Sequence, residues 1–314
     1  VLVKGQVAPG EEEMSDAIRR SGVQPLQFSG LSRAISPIDD LKSLWSLYRL
    51  IRRIRPDVVH THKPKAGVVG RLAAWLAGVP VTVHTFHGHL LQHYFPGWVS
   101  RLILILERIL AYRTDAIVGV SRQTHRDLVS SRLTAPSRIH AIPLGLELQP
   151  FVTSRRLNGG FRTDLNLPTD VPLIGMVTRL APIKAVDIFL KAAKEVLIKA
   201  PQVRFVVVGD GELRGELEAL TRKLGISDRV SFTGFRIDVV QIYAALNLLV
   251  LSSLNEGLPV TLIEGIASGC YVVATRVGGV PELVESTRTG ITVESGNVSA
   301  LSNAMIQAIE SKRE

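Results

Sequence analysis

The segment SSLNEGLPVTLIEGIASGCYVVATRVGG, Ser252 to Gly279, decides how the rest of the chain is read. It overlaps an apolar run, LNLLVLSS, that reads as a buried strand ending in a loop at Asn255-Glu256-Gly257. A helix opens near Pro259, because proline's missing N–H would have no partner in a first helical turn. That helix carries Glu264, stops at Gly269 and feeds a second strand, YVVAT, followed by Gly278 and Gly279. Glu256 sits on the loop, and Glu264 lies eight residues on, in the first turns of the helix. Both can face the crevice beyond the strand's carboxyl end, where open α/β sheets bind ligands. The backbone N–H groups of Gly257, Leu258 and the turn after them suit an anion or a sugar hydroxyl. A pair of glutamates at this spacing is by itself most often two solvated carboxylates on a surface helix. Joined to EGLP, a small-residue helix, a strand and two glycines, it is far more specific.

That combination resembles the donor-binding segment of retaining GT-B glycosyltransferases, specifically glycosyltransferase family 4. Gly265 and Ile266 stand where the family commonly has Ala and Met, and Tyr271 where it has Pro; these read as packing variation.

The 314 residues suffice for two domains, and 46% hydrophobic content is ample for two cores. Cys270 is the only cysteine, so no intramolecular disulfide forms and a reducing compartment fits. No apolar run reaches the roughly 18 residues of a membrane span, and no signal peptide is visible. Residues 1–150 hold 19 Lys and Arg against 11 Asp and Glu, whereas residues 151–314 hold 18 against 17. The basic surplus therefore belongs to the first half. It implies an anionic partner there: nucleic acid, an anionic membrane surface or a phosphorylated substrate.

Three strands and two helices open the chain: VLVKGQ, a helix over 11–22, VQPLQF, a helix over PIDDLKSLWSLYRLIRRIR, and DVVHTH. The long helix has Asp39 and Asp40 in its first turn and Arg52, Arg53 and Arg55 in its last, matching the helix dipole. Its Leu, Trp, Tyr and Ile positions read as core. Strand and helix keep alternating through VVGRLAAWLAG, PVTVHTFH, WVSRLILILERILAY, DAIVGVS, a Ser121-capped helix and IHAIPLG. Such alternation means a parallel sheet with crossover helices. His62 and His87 then lie at the carboxyl ends of neighbouring strands, whereas His60, His84 and His93 read as ordinary core or loop residues. The histidines, His89 among them, lack the spacing of a zinc site. The amphipathic 98–113 helix, with the loop LLQHYFPGW, has the character of a segment lying on a membrane interface. Residues 151–170, rich in breakers such as Asn158-Gly159-Gly160, read as a linker between a domain at 1–150 and one at 171–314.

In the second half PLIGMVTRL is a strand ending at Arg179, with Lys184 in the loop before a helix. A guanidinium, an ammonium and free helix N–H groups at one turn make a diphosphate site. RFVVVGDGELRG contains a glycine pattern of dinucleotide type, but Asp210 and Glu212 would repel a pyrophosphate. A dinucleotide oxidoreductase is therefore disfavoured.

VHTHKPKAGVVGRLAA and VHTFHGHLLQHYF resemble bacterial family 4 transferases that build cell-surface polysaccharides. The resemblance implies two doubly wound Rossmann-like domains facing a cleft. Arg179 and Lys184 would hold the pyrophosphate of a nucleoside-diphosphate sugar, although the usual Gly after the lysine is Ala185. Glu256, Gly257 and Leu258 would hold the donor sugar, and Glu264 the ribose. Gly211, Phe235, Arg236 and Ile237 would lie near the nucleotide, and His87 would touch the sugar. His62, Lys63 and Lys65 would face a saccharide or lipid-linked acceptor. Transfer would retain anomeric configuration by front-face attack, with no metal, no cofactor and no nucleic acid, in the cytoplasm or peripherally on the inner membrane face. By the same resemblance the chain is expected to lack an opening strand with its glycine-rich loop, and a returning helix at its other end. The alternatives are a non-catalytic fragment that binds nucleotide-sugar and a GT-B sugar epimerase.

Overall fold

The computed structural model describes residues 1–5, 18, 22–28, 30–31, 36–88, 97–154 and 160–311. The helix expected over 11–22, apart from Ile18 and Gly22, lies outside them. So do His89, His93, most of the 90–98 loop and Asn158-Gly159. The chain divides into two compact units, Val1–Leu144 and Gly145–Glu314.

In the first unit, β1 (Leu2–Lys4) and β2 (Pro25–Gln27) form a two-stranded parallel sheet. Next come α1 (Pro37–Ile54), β3 (Val58–His62), α2 (Pro64–Ala77) and β4 (Val81–Phe86). They are followed by α3 (Gly97–Tyr112), β5 (Ala116–Gly119), α4 (Arg122–Ser130) and β6 (Ile139–Ala141). Strands β3 to β6 make a parallel sheet in chain order. Among the described residues β1 is laddered to β2 alone and β3 to β4 alone. Both sheets contribute to one apolar cluster, in which Val3, Phe28 and Val59 pack against Leu47, Ile51, Val69 and Ala73. The expected core face of α1 is narrower than the sequence suggests. Ser43, Leu47 and Ile51 are buried at four-residue spacing, but Trp45 is 60% exposed and stacks on Tyr48 with ring centroids 5.4 Å apart.

The second unit opens with α5 (Gln149–Ser154) and α6 (Gly160–Asp164), then β7 (Leu173–Val177), α7 (Val186–Lys199) and β8 (Arg204–Val208). It continues through α8 (Arg214–Leu224), β9 (Val230–Gly234), α9 (Val239–Ala245) and β10 (Leu248–Leu251). The last elements are α10 (Val260–Ala267), β11 (Tyr271–Thr275), α11 (Val280–Thr287), β12 (Gly290–Val293) and α12 (Val298–Glu310). All six strands are parallel, in the order β12-β11-β10-β7-β8-β9. This is the doubly wound arrangement. Burial on both faces explains why RFVVV is apolar throughout and not alternating. Phe205 and Val207 enter one cluster with Phe189 and Met305; Val206 and Val208 enter the other with Tyr243 and Leu262.

The stretch read as a linker, 151–170, belongs to this second unit. Phe151 and Phe161 are buried in its core. Arg162, only 7% exposed, donates to the carbonyl oxygens of Pro168, Val171 and Ala245 and to Asn247 Oδ1.

Candidate active site

The order of the second sheet reverses between β7 and β10. The loops after these two strands therefore flank the switch point, where a crevice opens beyond the carboxyl ends. Arg179 and Lys184 lie after β7, and Glu256 lies after β10. Lys184 Nζ is 2.6 Å from Glu256 Oε1, and the buried Ser253 hydroxyl donates to the same oxygen at 2.6 Å. Both contacts fall on one oxygen and leave Oε2 for another donor.

The two loops are tied together beneath this pair. Leu254 N–H donates to Ile183 O at 2.9 Å, and Ser252 Oγ donates to Ala185 O at 2.8 Å. Ala185 adopts φ +47°, the left-handed conformation a glycine takes without cost, and immediately begins α7. Behind Glu256 stands the loop after β11. Gly279 N–H donates to Gly257 O at 2.7 Å, and Gly278 (φ +51°) lies so close that a Cβ there would come 1.7 Å from the Glu256 carbonyl oxygen. Thr275 Oγ1 donates to Ser253 O at 2.6 Å. Sequence reasoning does not single out Ser253 or Thr275. A signal for Ser253 exists, since it lies three residues before Glu256, within reach of its carboxylate.

Glu264 projects from α10, and Tyr243 Oη donates to its Oε2 at 3.1 Å. Burial raises the Glu264 carboxyl above its ordinary pKa, with the Tyr243 hydrogen bond opposing that rise. Gly211 packs on the loop after β7, where a Cβ would meet Leu180 O at 2.5 Å. Phe235 and Ile237 are exposed apolar side chains just past β9. Arg236 between them is committed to carboxylates: it donates to Asp238 (2.6 and 2.7 Å) and to Asp164 (2.8 Å). Those bonds raise its pKa and staple the loop to α6.

In the first unit His62 and His87 end adjacent strands, with His62 Nδ1 3.0 Å from His87 Nε2. His62 is at the surface, yet partial burial among the rings, followed by the charges of His60 and His87, lowers its pKa to about 4. His87 is lowered by burial, then by Lys63 and His60. Lys63 is exposed and carries a positive φ of 66° at the start of α2. Lys65 pairs with Asp40 at 2.6 Å, which ties α2 to α1. His84 is buried, hydrogen-bonded to Thr61 at 2.8 Å, as its reading as a core residue implies.

Residues 171–311 match the family model described as "Glycosyl transferases group 1", and residues 2–145 match "Glycosyl transferase 4-like domain". The chain is 31% identical over 314 residues to the UDP-Gal:alpha-D-GlcNAc-diphosphoundecaprenol alpha-1,3-galactosyltransferase of Escherichia coli. That match covers 99% of this chain and 80% of the relative. The chain is a member of the group 1 glycosyltransferase family. This glycosyltransferase is also 33% identical over 256 residues to D-inositol 3-phosphate glycosyltransferase of Mycobacterium sp. (strain KMS), covering 77% of this chain and 56% of that one. Its fold matches that of Anabaena Alr3699/HepE solved with UDP-glucose, with a TM-score of 0.80 at 22% identity over 99% of this chain and 82% of the other. Sucrose-phosphate synthase from Thermosynechococcus elongatus gives a TM-score of 0.75 at 21% identity, over 92% and 74%. The architecture is GT-B.

Proposed function

We propose that this glycosyltransferase moves a sugar from a nucleoside-diphosphate donor to a saccharide or lipid-linked acceptor in polysaccharide or glycan biosynthesis. The carrying observation is the Lys184–Glu256 pair at 2.6 Å, set at the switch point with Arg179 on the same loop and Glu264 on the following helix. Arg179 and Lys184 are suited to the diphosphate. They stabilise charge as it builds on the leaving group, a role cations fill where charge develops in a transition state. Glu256, with its second oxygen open, accepts from donor-sugar hydroxyls, and Glu264 accepts from the ribose. Phe235 and Ile237 give the base an apolar flank. Attack comes from the front face, the departing phosphate takes the acceptor proton, and configuration is retained. No metal ion takes part in this reading. His62, Lys63 and Lys65 serve the acceptor, and His87 the sugar.

The relative from Escherichia coli is named for a diphosphoundecaprenol acceptor, and one surface of the first unit is consistent with a lipid-borne substrate. Trp98, Leu102, Ile105, Leu106, Ile109 and Tyr112 are 42–76% exposed. At about 100° per residue they occupy one third of the circumference of α3. The opposite face, with Glu107, Leu110 and Ala111, is buried. Arg101 and Arg108 flank the stripe on one side, Arg113 follows its end, and all three are exposed. No helix among the described residues is long and apolar enough to cross a membrane. Apolar residues with flanking arginines suit an anionic lipid interface, so the protein works peripherally on the cytoplasmic face.

Arg179→Ala tests the donor assignment. Loss of a charged hydrogen bond costs about 1.5–3 kcal/mol, so calorimetry against UDP, GDP and ADP should show about 10- to 150-fold weaker binding of the preferred one. Unchanged affinity would remove Arg179 from the site, and abolition of transfer by EDTA, restored by Mg²⁺, would overturn the metal-free mechanism.

A further inference from the structure

Tyr243 has no counterpart in the site as read from sequence, yet it makes the one side-chain hydrogen bond found on Glu264 among the described residues. Its side chain is 1% exposed and belongs to the core on one face of the second sheet. The ring packs beside Phe151, with centroids 6.0 Å apart, and along the glycine that follows Glu264, where a Cβ at Gly265 would lie 3.6 Å from Tyr243 Cδ1. The backbone of Tyr243 is held as well, since Cys270 Sγ donates to its carbonyl oxygen at 3.1 Å. A phenol so enclosed has its hydroxyl aimed in one direction only, at Glu264 Oε2. Burial and the neighbouring carboxylate both raise its pKa, so the hydroxyl stays a donor.

From this geometry we infer that Tyr243 is a positioning residue for the nucleotide. Its hydroxyl fixes the rotamer of Glu264 by occupying Oε2, and so presents Oε1 to the ligand. The inference rests on the reading of Glu264 as the ribose-binding carboxylate. A glutamate on an eight-residue helix has three rotatable bonds, and freezing a rotamer-rich side chain at a binding interface costs conformational entropy. Tyr243 meets that cost during folding. It also supplies the half-buried carboxylate with a donor whose loss would favour protonation, and a protonated Glu264 accepts poorly from a diol. Gly265 fits the same scheme: Leu249 Cδ2 would lie 2.3 Å from a Cβ there, so this chain fills with a leucine the space an alanine methyl would take. The α10 backbone can then approach the β10 and Tyr243 layer closely.

The test is a double-mutant cycle of Tyr243→Phe and Glu264→Ala, read as the Kd for whichever of UDP, GDP and ADP the wild type binds most tightly. The 2′,3′-dideoxy form of the same nucleotide runs in parallel, and circular dichroism confirms folding. Tyr243→Phe should weaken the ribonucleotide about 3- to 10-fold, in keeping with one hydrogen bond. It should leave the dideoxynucleotide within twofold and have no further effect once Glu264 is alanine. An equal loss for both nucleotides, or additive effects of the two substitutions, would make Tyr243 an ordinary core residue and overturn the inference. The wild type decides the underlying reading separately. If it binds ribo- and dideoxynucleotides equally, Glu264 does not hold the ribose and the inference falls with that reading, whereas a ribose preference with additive substitutions overturns the role of Tyr243 alone. Glu264→Gln should keep part of the coupling, because an amide oxygen can still accept from the phenol.

Discussion

Gly278→Ala isolates the fit between the two loops that carry the site. The added methyl carbon would stand 1.7 Å from the Glu256 carbonyl oxygen and 2.7 Å from its carbon. Unstrained contact needs about 3.5 Å, so the Glu256 backbone must retreat by about 1.5 Å or more. Alanine at φ +51° costs roughly 1–2 kcal/mol, and forced overpacking adds roughly 1–3 kcal/mol. Their sum should lower the melting temperature by on the order of 10 °C. The functional loss should be larger than stability alone explains, because the displaced segment carries the carboxylate held by Lys184 and Ser253. A misplacement near 1 Å costs about 100-fold in rate. Gly225→Ala serves as the control: Gly225 has φ +70° and open space for 4 Å around the position of an added Cβ, so it incurs the conformational cost without the clash. Steady-state transfer, measured well below both melting temperatures, should fall about 100-fold in Gly278→Ala and stay near wild type in Gly225→Ala. Equal activity of the two variants would refute the idea that close approach at Gly278 sets the position of Glu256.

Two further outcomes are expected from the first unit. His84 is held to a pKa of about 2 by burial, with Arg71, His62 and His60 adding to the effect. The unfolded chain takes up that proton below the ordinary value near 6.5 and the folded chain does not, so stability is lost as pH falls through that window, by up to about 1.4 kcal/mol per unit. Glu107, raised by burial beside Arg71, titrates in the opposite sense. Chemical denaturation at pH 7 and pH 5 should therefore show a steeper loss in the wild type than in His84→Asn, and parallel slopes would show that His84 protonates while folded. The exposed stripe on α3 should bind vesicles containing anionic lipid, more weakly as salt rises. Leu102→Gln with Ile109→Gln should reduce that binding at every salt concentration. Equal binding to neutral and anionic vesicles would remove the arginines from the interaction.

Much of the second unit is legible in the chain itself. YVVAT is β11 to the residue, and LNLLVLSS holds β10, because short apolar runs between loop residues have few ways to be buried on both faces. Arg179, Lys184 and Glu256 stand out because each lies in a loop just past a strand end of a βαβ unit, and Glu264 because it follows Glu256 on the next helix. The 151–170 stretch misleads, since glycines and prolines report broken helices and say nothing of whether Phe151 and Phe161 find a core. Trp45 misleads in the other direction: helical spacing marks a face, but the width of the buried stripe depends on what packs against it.

What local sequence determines here is periodicity, strand direction by alternation, and the chemical types at each strand end. Contacts between residues far apart in the chain are another matter. Lys184 meets Glu256 because β7 and β10 are neighbours although two strands separate them in sequence, while Tyr243 meets Glu264 through the packing of α9 and α10 about β10, and Gly278 meets the Glu256 carbonyl because β11 lies beside β10. Arg236 shows the same limit, since its pairing with Asp164 lies across 72 positions and is not legible locally. Hydrogen bonds and charges act over a few ångströms, and only the closed sheet brings these groups within that range.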